Sequence, residues 1–250
     1  MAFLTCHFQS VSLGRNVTFH AVIPGDRPAD LPTLYLFHGL SDDSSAWERR
    51  TSAERYAEER GLALIMPDGG RSFYTDSGEG EYYFSYVSSE LVEYTRALFP
   101  LSRDREKTFA GGNSMGGYGA VKCALARPDT FGACVTLSGA LDLVTLVKTA
   151  DWMQALSVHN WGKDCHDAVA GTGDDLFALA DRLAADKSAP KPRMMQICGT
   201  EDFLYEINRT FRRRMENLPF DYRYEESPGT HDWAFWDRNL PAAMDFLLKR

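Results

Sequence analysis

The 250-residue sequence lacks the features that mark secreted, membrane-spanning and nucleic-acid-binding proteins. No apolar run approaches the ~18 residues needed to cross a bilayer. The N-terminus has no basic segment followed by a long apolar one, so we expect no secretory signal. Lys and Arg number 27 against 35 Asp and Glu, which gives a formal net charge of -8. This balance argues against nucleic acid as a partner, because phosphate binding needs a basic surface.

Cysteine is scarce and follows no pairing pattern. The residues are Cys6, Cys123, Cys134, Cys165 and Cys198. Their number is odd, and they are scattered without any C-x-x-C pair. Cys123, Cys134 and Cys198 sit in apolar surroundings and are predicted to be buried thiols. We therefore expect a protein of the reducing cytoplasm.

Two common ligand-binding patterns are also missing. His159 and His166 flank Asp164-Cys165, but this spacing matches no recognised metal-ligand set. The glycine-rich run 111–117 is not followed by Gly-Lys-Ser/Thr, and its spacing is not the dinucleotide fingerprint. The sequence therefore predicts neither a metal nor a nucleotide, and we expect no cofactor.

Repeats, low-complexity tracts and Gly- or Pro-rich linkers are absent, so 1–250 is predicted to be a single domain. The first two strand-like runs, 3–10 and 16–23, resemble an antiparallel hairpin. Short apolar strands then alternate with helices, which indicates an α/β fold with a mostly parallel sheet covered on both faces. The predicted strands are 33–37, 62–66, 107–110, 133–137, 194–198 and 222–224. The predicted helices are 51–60, 86–99, 118–126 and 175–185.

The segment 141–190 departs from this alternation. It is long and contains Trp152, Trp161 and the glycine-containing loop 170–174. We expect it to form a small cap over the functional site. The alternative is a surface excursion that carries an ordinary helix at 175–185.

The most informative motif is Gly112-Asn113-Ser114-Met115-Gly116, which reads as G-x-S-x-G. It follows a predicted strand and precedes a predicted helix, and that order is the context of a nucleophile elbow. At such a turn the Ser114 hydroxyl projects above the sheet. The first amides of the helix then face any negative charge that develops beside it.

A base and an acid follow in the order that this elbow requires. His231 stands in the loop 228–233, between the last predicted strand and the final helix, where a triad histidine is expected. Its alternative role is that of a capping or surface histidine. Asp202 and Glu201 both follow the strand 194–198, and Asp202 is better placed to orient the imidazole. Asp202 could instead cap the helix near Leu204, which leaves Glu201 as the second choice.

An oxyanion hole needs two amides near the serine. One is predicted to be that of Met115, directly after the nucleophile, and the other that of Gly39 or Leu40 in the loop 38–41. His38 precedes Gly39 and is interpreted as shaping this turn. Aromatic residues in loops are candidates for the substrate pocket, and we select Trp47, Tyr74 and Trp152.

Several motif blocks together carry a family resemblance. They lie at 36–40, 47, 66–68, 74–76, 114–119, 138–140, 199–205 and 229–233. With these blocks the chain resembles the esterase D group of α/β-hydrolases. The group includes bacterial tributyrin esterases, S-formylglutathione hydrolases, and acetyl, cinnamoyl and feruloyl esterases. The resemblance implies an α/β-hydrolase fold, a triad of Ser114, Asp202 and His231, and oxyanion amides at Leu40 and Met115.

Within this group the chain is most similar to the tributyrin esterases, which implies hydrolysis of small, short-chain acyl esters through an acyl-enzyme. One alternative is an acetyl-xylan, cinnamoyl or feruloyl esterase acting on carbohydrate esters. Another is an S-formylglutathione hydrolase, although that branch usually carries a Cys soon after the oxyanion loop, and 40–45 has none. An acyltransferase resembling the mycolyl-transferring antigens would need a secreted chain. A catalytically dead binding module is the alternative from another class. Enzymes of this group often form symmetric homo-oligomers, so oligomerisation stays open.

Overall fold

The computed structural model describes residues 1–25, 29–77, 80–162 and 165–249, and its strands form one eight-stranded sheet. The strands are β1 (Ala2–Ser10), β2 (Arg15–Ile23), β3 (Thr33–Phe37), β4 (Ala63–Pro67), β5 (Thr108–Asn113), β6 (Ala133–Leu137), β7 (Arg193–Gly199) and β8 (Tyr222–Ser227). Their order across the sheet is β1-β2-β4-β3-β5-β6-β7-β8. The pairs β1–β2 and β2–β4 are antiparallel, and all later pairs are parallel. The predicted α/β class, parallel sheet and N-terminal hairpin are confirmed.

Helices cover both faces of the sheet. They are α1 (Ala46–Arg50), α2 (Ala53–Arg60), α3 (Tyr83–Ser85), α4 (Leu91–Leu98), α5 (Met115–Ala126), α6 (Leu143–Thr149), α7 (Gln154–Trp161), α8 (Cys165–Ala168), α9 (Leu176–Ala185), α10 (Tyr205–Met215) and α11 (Trp233–Leu247). Successive strand residues point to opposite faces. Tyr35 and Phe37 therefore join the core beneath α4, α5 and α9, while Leu34 and Leu36 join the core beneath α2 and α11.

The central strands are apolar throughout because both of their faces are covered. All residues of β3, β4, β5 and β6 are buried. By contrast β8, at the edge of the sheet, has only intermediate and exposed residues. Because this strand has many polar residues, the sequence predicted only 222–224. Pairing with β7 extends the strand to Ser227.

Helix boundaries differ from the prediction where local propensity misleads. The predicted helix 51–60 begins two residues later, as α2, and a further helix, α1, precedes it, with Thr51 and Ser52 between the two. The predicted helix 86–99 begins earlier, at Tyr83, and contains a π-helical turn at Tyr86–Glu90. Helix α5 starts at Met115 and not at 118, because glycines that disfavour helix in isolation are required there by close packing.

The segment 141–190 is largely helical. It contains α6, a 3₁₀ turn at Asp151–Met153, α7, α8 and α9. Asp175 caps α9 by accepting hydrogen bonds from the amides of Phe177 and Ala178. Helix α9 packs against α5, the helix that follows the predicted nucleophile.

The described ranges contain neither a membrane-spanning helix nor a metal-binding cluster. None of their helices is long and apolar enough to cross a membrane. In the same ranges no group of three or more His, Cys, Asp or Glu side chains could hold a metal ion. Asp164, which lies between His159 and His166 in the sequence, is outside the described residues, and His159 faces the Glu81 carboxylate at 3.5 Å.

Candidate active site

Ser114 occupies a strained turn between β5 and α5. Its φ of 53° and ψ of -119° lie outside the regions that L-residues usually adopt. Its amide donates to the carbonyl oxygen of Leu137 at 3.0 Å, and its own carbonyl accepts from the amides of Tyr118 and Ala140 at 3.1 Å each. Hydrogen bonds to the neighbouring strand and to α5 thus hold the backbone in this conformation.

The glycines around Ser114 are needed because the end of β3 passes close to the turn. A Cβ on Gly112 would lie 2.6 Å from the Phe37 carbonyl oxygen, and one on Gly116 would lie closer still to the same atom. A Cβ at either position would clash with backbone, which cannot move aside. The G-x-S-x-G spacing is therefore a steric requirement of this fold.

His231 and Asp202 meet beside the serine turn. Nδ1 of His231 lies 3.0 Å and 2.9 Å from the two carboxylate oxygens of Asp202. The Asp202 side chain is fully buried, whereas 16% of the His231 side chain is exposed. Asp202 Oδ1 also accepts from the Leu204 amide at 2.8 Å. Asp202 therefore contacts both the imidazole and the backbone at the start of α10.

The imidazole of His231 is enclosed between two aromatic rings. The Phe203 ring lies 4.4 Å from it, and the Trp236 ring stands perpendicular to it at 5.0 Å, centroid to centroid. Trp236 is fixed in turn by its indole N–H, which donates to the Ser138 hydroxyl at 3.1 Å. These contacts limit the orientations that the imidazole can adopt.

Glu201 contacts the histidine loop and not the imidazole. Its carboxylate accepts from the Gly229 amide at 2.6 Å, and its amide donates to the Gly229 carbonyl at 3.1 Å. The bond from the Gly229 amide holds the pKa of the Glu201 carboxyl below its usual range. Of the two candidate acids, the structure brings Asp202 to His231 and uses Glu201 to fasten the loop.

Two cavities open at Ser114. We call the first, of about 380 Å³, the apolar cavity. Its lining is Leu40, Ser41, Phe73, Ser114, Ala140, Trp152, Phe203 and His231. The second, of about 350 Å³, is the polar cavity. Its lining is Gly39, Leu40, Ser41, Asp42, Asn113, Ser114, His231, Asp232, Trp233 and Trp236.

The predicted pocket aromatics are separated by the structure. Trp152 lines the apolar cavity and is 46% exposed. Trp47 and Tyr74 line neither cavity, so their assignment to the pocket is corrected. Trp47 is buried, donates to the Phe37 carbonyl at 2.9 Å and packs edge-on against Trp233. Tyr74 is buried, donates to the His38 carbonyl at 3.0 Å and stacks on Phe37. Both side chains turn inward because large aromatic surfaces are stabilised by burial.

Sequence reasoning assigned no role to several cavity residues. Phe73 and Phe203 line the apolar cavity, and Asn113 and Trp236 line the polar one. A signal existed for two of them, since Asn113 lies inside the G-x-S-x-G motif and Phe203 directly follows Asp202. Phe73 and Trp236 carried no such signal.

His38 orients the loop that holds the other candidate oxyanion amide. Because the Gly69 amide donates to His38 Nε2 at 2.8 Å, the proton lies on Nδ1, which donates to the Gly39 carbonyl at 2.8 Å. The Asp42 amide also approaches that carbonyl, at 3.3 Å. In a planar trans peptide the C=O and N–H groups point in opposite directions. The Leu40 N–H is therefore directed away from His38.

The second candidate amide is that of Met115. Met115 is the first residue of α5 and lies directly after Ser114. The first amides of a helix have no partner within the helix and carry a partial positive charge. This amide is therefore available to an anion beside Ser114.

A parallel sheet with an N-terminal hairpin, a serine at a strand–turn–helix elbow and a histidine–aspartate pair define the α/β-hydrolase class. The family model described as "Putative esterase" matches residues 10–247. The chain belongs to this esterase family, and the resemblance to the esterase D group is confirmed.

Individual relatives agree with this membership. The acetyl esterase of Caldicellulosiruptor saccharolyticus is 33% identical over 100% of this chain and 99% of the relative. The fluorophosphonate-binding serine hydrolase FphF of Staphylococcus aureus, solved with substrate bound, superposes with a TM-score of 0.92 at 32% identity, covering 99% of this chain and 98% of that chain. The S-formylglutathione hydrolase FrmB of the same organism superposes with a TM-score of 0.84 at 32% identity and the same coverage.

Proposed function

We propose that the protein is a serine carboxylesterase that hydrolyses small, short-chain acyl esters through an acyl-enzyme. The observation that carries the proposal is the Asp202–His231 contact at the edge of two cavities that both include Ser114. A strained serine, a partly exposed imidazole and a buried carboxylate are the groups that nucleophilic ester cleavage requires. No cofactor takes part in the proposed reaction.

In the first half of the reaction, His231 Nε2 takes the proton from the Ser114 hydroxyl as Oγ attacks the ester carbonyl carbon. The carbonyl oxygen becomes negative and accepts hydrogen bonds from the amides of Leu40 and Met115. Each such donor typically contributes ~3–4 kcal/mol to lowering the barrier. Asp202 fixes the tautomer of His231 and stabilises the imidazolium. The imidazolium then protonates the alcohol oxygen, the C–O bond breaks, and the acyl group remains on Ser114.

In the second half, His231 takes a proton from water and the resulting hydroxide attacks the acyl carbon. The same two amides hold the oxyanion. The imidazolium returns its proton to Ser114 Oγ as the acyl–oxygen bond breaks and the carboxylic acid leaves. The enzyme is regenerated with its original protonation.

The apolar cavity suits the acyl chain of such a substrate. Its side walls are aromatic and aliphatic, and a cavity of about 380 Å³ has room for a short alkyl chain. Trp152 comes from the segment 141–190, which supports our proposal that this segment acts as a small cap. The five free cysteines support placing the enzyme in the reducing cytoplasm.

The test is turnover of p-nitrophenyl acetate and butyrate by the purified protein. We expect a burst of nitrophenol followed by steady hydrolysis, labelling of Ser114 by a serine-reactive phosphonate, and loss of both in Ser114→Ala. Ser188→Ala removes an exposed serine outside both cavities and should keep both signals. Undiminished turnover in Ser114→Ala would refute the proposal, and a wild type without turnover would favour a non-catalytic binding module.

The second candidate is hydrolysis of a thioester such as S-formylglutathione. Its support is the likeness to FrmB over nearly the whole chain. Comparing kcat/KM for S-formylglutathione with that for p-nitrophenyl acetate separates the two candidates. Adding an acetylated xylan and a feruloyl ester to the same panel tests the carbohydrate-ester alternatives. We expect the short-chain ester to be preferred.

A further inference from the structure

Asn113 is a buried amide without a hydrogen-bond partner among the described residues. The residue is fully buried, and neither its Nδ2 nor its Oδ1 makes a hydrogen bond there. Leaving a buried donor or acceptor unpaired costs about 1–3 kcal/mol. The residue is also among those that line the polar cavity, directly before Ser114. Such a group calls for a partner that enters the cavity.

Asn208 shows how this fold treats a structural buried amide. It is as buried as Asn113, and its Nδ2 donates to the carbonyls of Gly139 and Leu204 at 2.9 Å each. Its Oδ1 accepts from Gln196 at 2.9 Å. A buried asparagine can therefore be fully hydrogen-bonded in this core, and Asn113 is unpaired because of where it lies.

Asn113, Asp42 and Ser114 all lie close to Gly39. The position that a Cβ on Gly39 would occupy lies 3.0 Å from Asn113 Nδ2, 3.5 Å from Asp42 Oδ2 and 3.5 Å from Ser114 Cβ. Because Gly39 has no side chain, all three groups border the same space. Burial raises the pKa of the Asp42 carboxyl, so it too would gain from a hydrogen-bond donor in the cavity.

The chemistry of this cavity selects its occupant. A carboxamide donates and accepts, a carboxylate accepts, and both match the hydroxyl group. Trp233 and Trp236, which line the same cavity, supply apolar surface for a carbon skeleton. An alkyl chain would leave Asn113 unpaired and remove water from Asp42, which is unfavourable.

We infer that the polar cavity binds the alcohol part of the ester, and that this alcohol is a polyol whose free hydroxyls are recognised by Asn113 and Asp42. The inference rests on the proposed function, because the short acyl chain assigned to the apolar cavity has no hydroxyl to offer. It makes Asn113 and Asp42 specificity-determining residues.

The experiment compares two acetates that differ only in hydroxyl groups, glycerol monoacetate and propyl acetate. The readout is the ratio of their kcat/KM values in the wild type, Asn113→Leu and Asp42→Asn. We expect the wild type to prefer glycerol monoacetate and each variant to lose about tenfold of that preference. Asp43→Asn alters a neighbouring carboxylate outside the cavity and should keep the wild-type ratio. A ratio within about twofold of wild type in both cavity variants would overturn the inference.

Thermal unfolding and a second ester pair distinguish hydroxyl recognition from a structural role of Asn113 and from binding on the acyl side. Since Asn113 has no described partner, Asn113→Leu should melt near the wild type, whereas Asn208→Leu should melt well below it. An Asn113→Leu protein as unstable as Asn208→Leu would make the amide structural and overturn its assignment. If the variants changed the ratio of methyl lactate to methyl propionate instead, the polar group would sit on the acyl side and the inference would be wrong. Failure of the proposed function looks different, because the wild type would then cleave neither acetate.

Discussion

Two carboxylates, the fully buried Asp202 and the largely buried Asp174, each hold a nitrogen-bearing side chain, but they do so in different ways. Asp202 accepts from His231 and from one backbone amide, and part of the imidazole stays accessible at two cavities. Asp174 accepts from the Lys122 ammonium, from the Thr75 hydroxyl at 2.6 Å and from the Trp161 indole at 2.7 Å. Both pairs border a cavity, and the one beside Lys122 and Asp174, of about 310 Å³, does not include Ser114. The two pairs differ in whether a hydrogen-bonding group is left over for a ligand.

The cation of the second pair is fully engaged. Nζ of Lys122, on α5, contacts the Asp174 carboxylate, the Tyr74 carbonyl at 3.1 Å and the Thr75 hydroxyl at 3.3 Å, and the residue is 3% exposed. An ammonium group has three protons to donate, so none is left for a ligand. A largely buried ion pair is therefore a candidate for chemistry only when one partner keeps an unused hydrogen-bonding position at a cavity. Here the Lys122–Asp174 pair instead ties the segment 141–190 to the helix behind the serine.

Breaking the Asp202–His231 pair should give the largest effect, and this effect should be on the catalytic rate. Asp202→Asn would hold His231 in the wrong tautomer, and we expect kcat to fall by about 10⁴-fold. The measurement is steady-state hydrolysis of p-nitrophenyl acetate with a melting curve alongside. Glu201→Gln is the matched control and should lower kcat much less, because the Glu201 carboxylate bonds to the Gly229 amide and the Thr200 hydroxyl and not to the imidazole. Equal losses in the two variants would remove the distinction between the two acids.

Breaking the second pair should act on stability. Lys122→Met leaves the largely buried Asp174 carboxylate without its cation, and removing one partner of a buried ion pair typically costs about 3–5 kcal/mol in the free energy of unfolding. Urea titration of the variant measures this loss. The double variant Lys122→Met/Asp174→Leu should recover most of it, since no charge is then left unpaired. A large drop in kcat without any loss of stability would place Lys122 in the chemistry and erase the contrast.

The smallest effect concerns pH. Burial alone would raise the pKa of Asp174, but the Lys122 charge and the hydrogen bonds from Lys122, Thr75 and Trp161 outweigh it and lower the pKa. A lowered pKa means that the stabilisation is present above the ordinary value of about 3.9 and is lost as the pH falls below it. We expect the free energy of unfolding to decline in that acid range, with a shallower decline in Asp174→Asn. Parallel declines in the two proteins would show that other carboxyls carry the acid sensitivity.

The order of residues along the sequence was enough to predict which loops carry the candidate site residues. Apolar runs bounded by Gly and Pro located the strands. Ser114, Asp202 and His231 follow β5, β7 and β8, which run parallel, so their loops meet at one edge of the sheet. The pocket could not be predicted in the same way. Trp47 and Trp152 both lie in loop-like sequence, and only tertiary neighbours such as Trp233 decide that the first turns inward. The unpaired amide of Asn113 likewise becomes visible only when every possible partner has a position.

The placement of His231 on the last loop links assembly to chemistry. Asp202, which contacts its imidazole, lies 29 residues earlier, and its ring packs on Trp236 of α11. Ser114, Asp202 and His231 are thus far apart in the sequence. Bringing them together has an entropic cost, which contacts made late in folding must offset. A folding intermediate that has its central sheet but lacks β8 and α11 would contain Ser114 without an anchored His231. If the proposed function holds, recovery of turnover during refolding therefore reports the docking of β8 and α11, and not the formation of the central sheet alone.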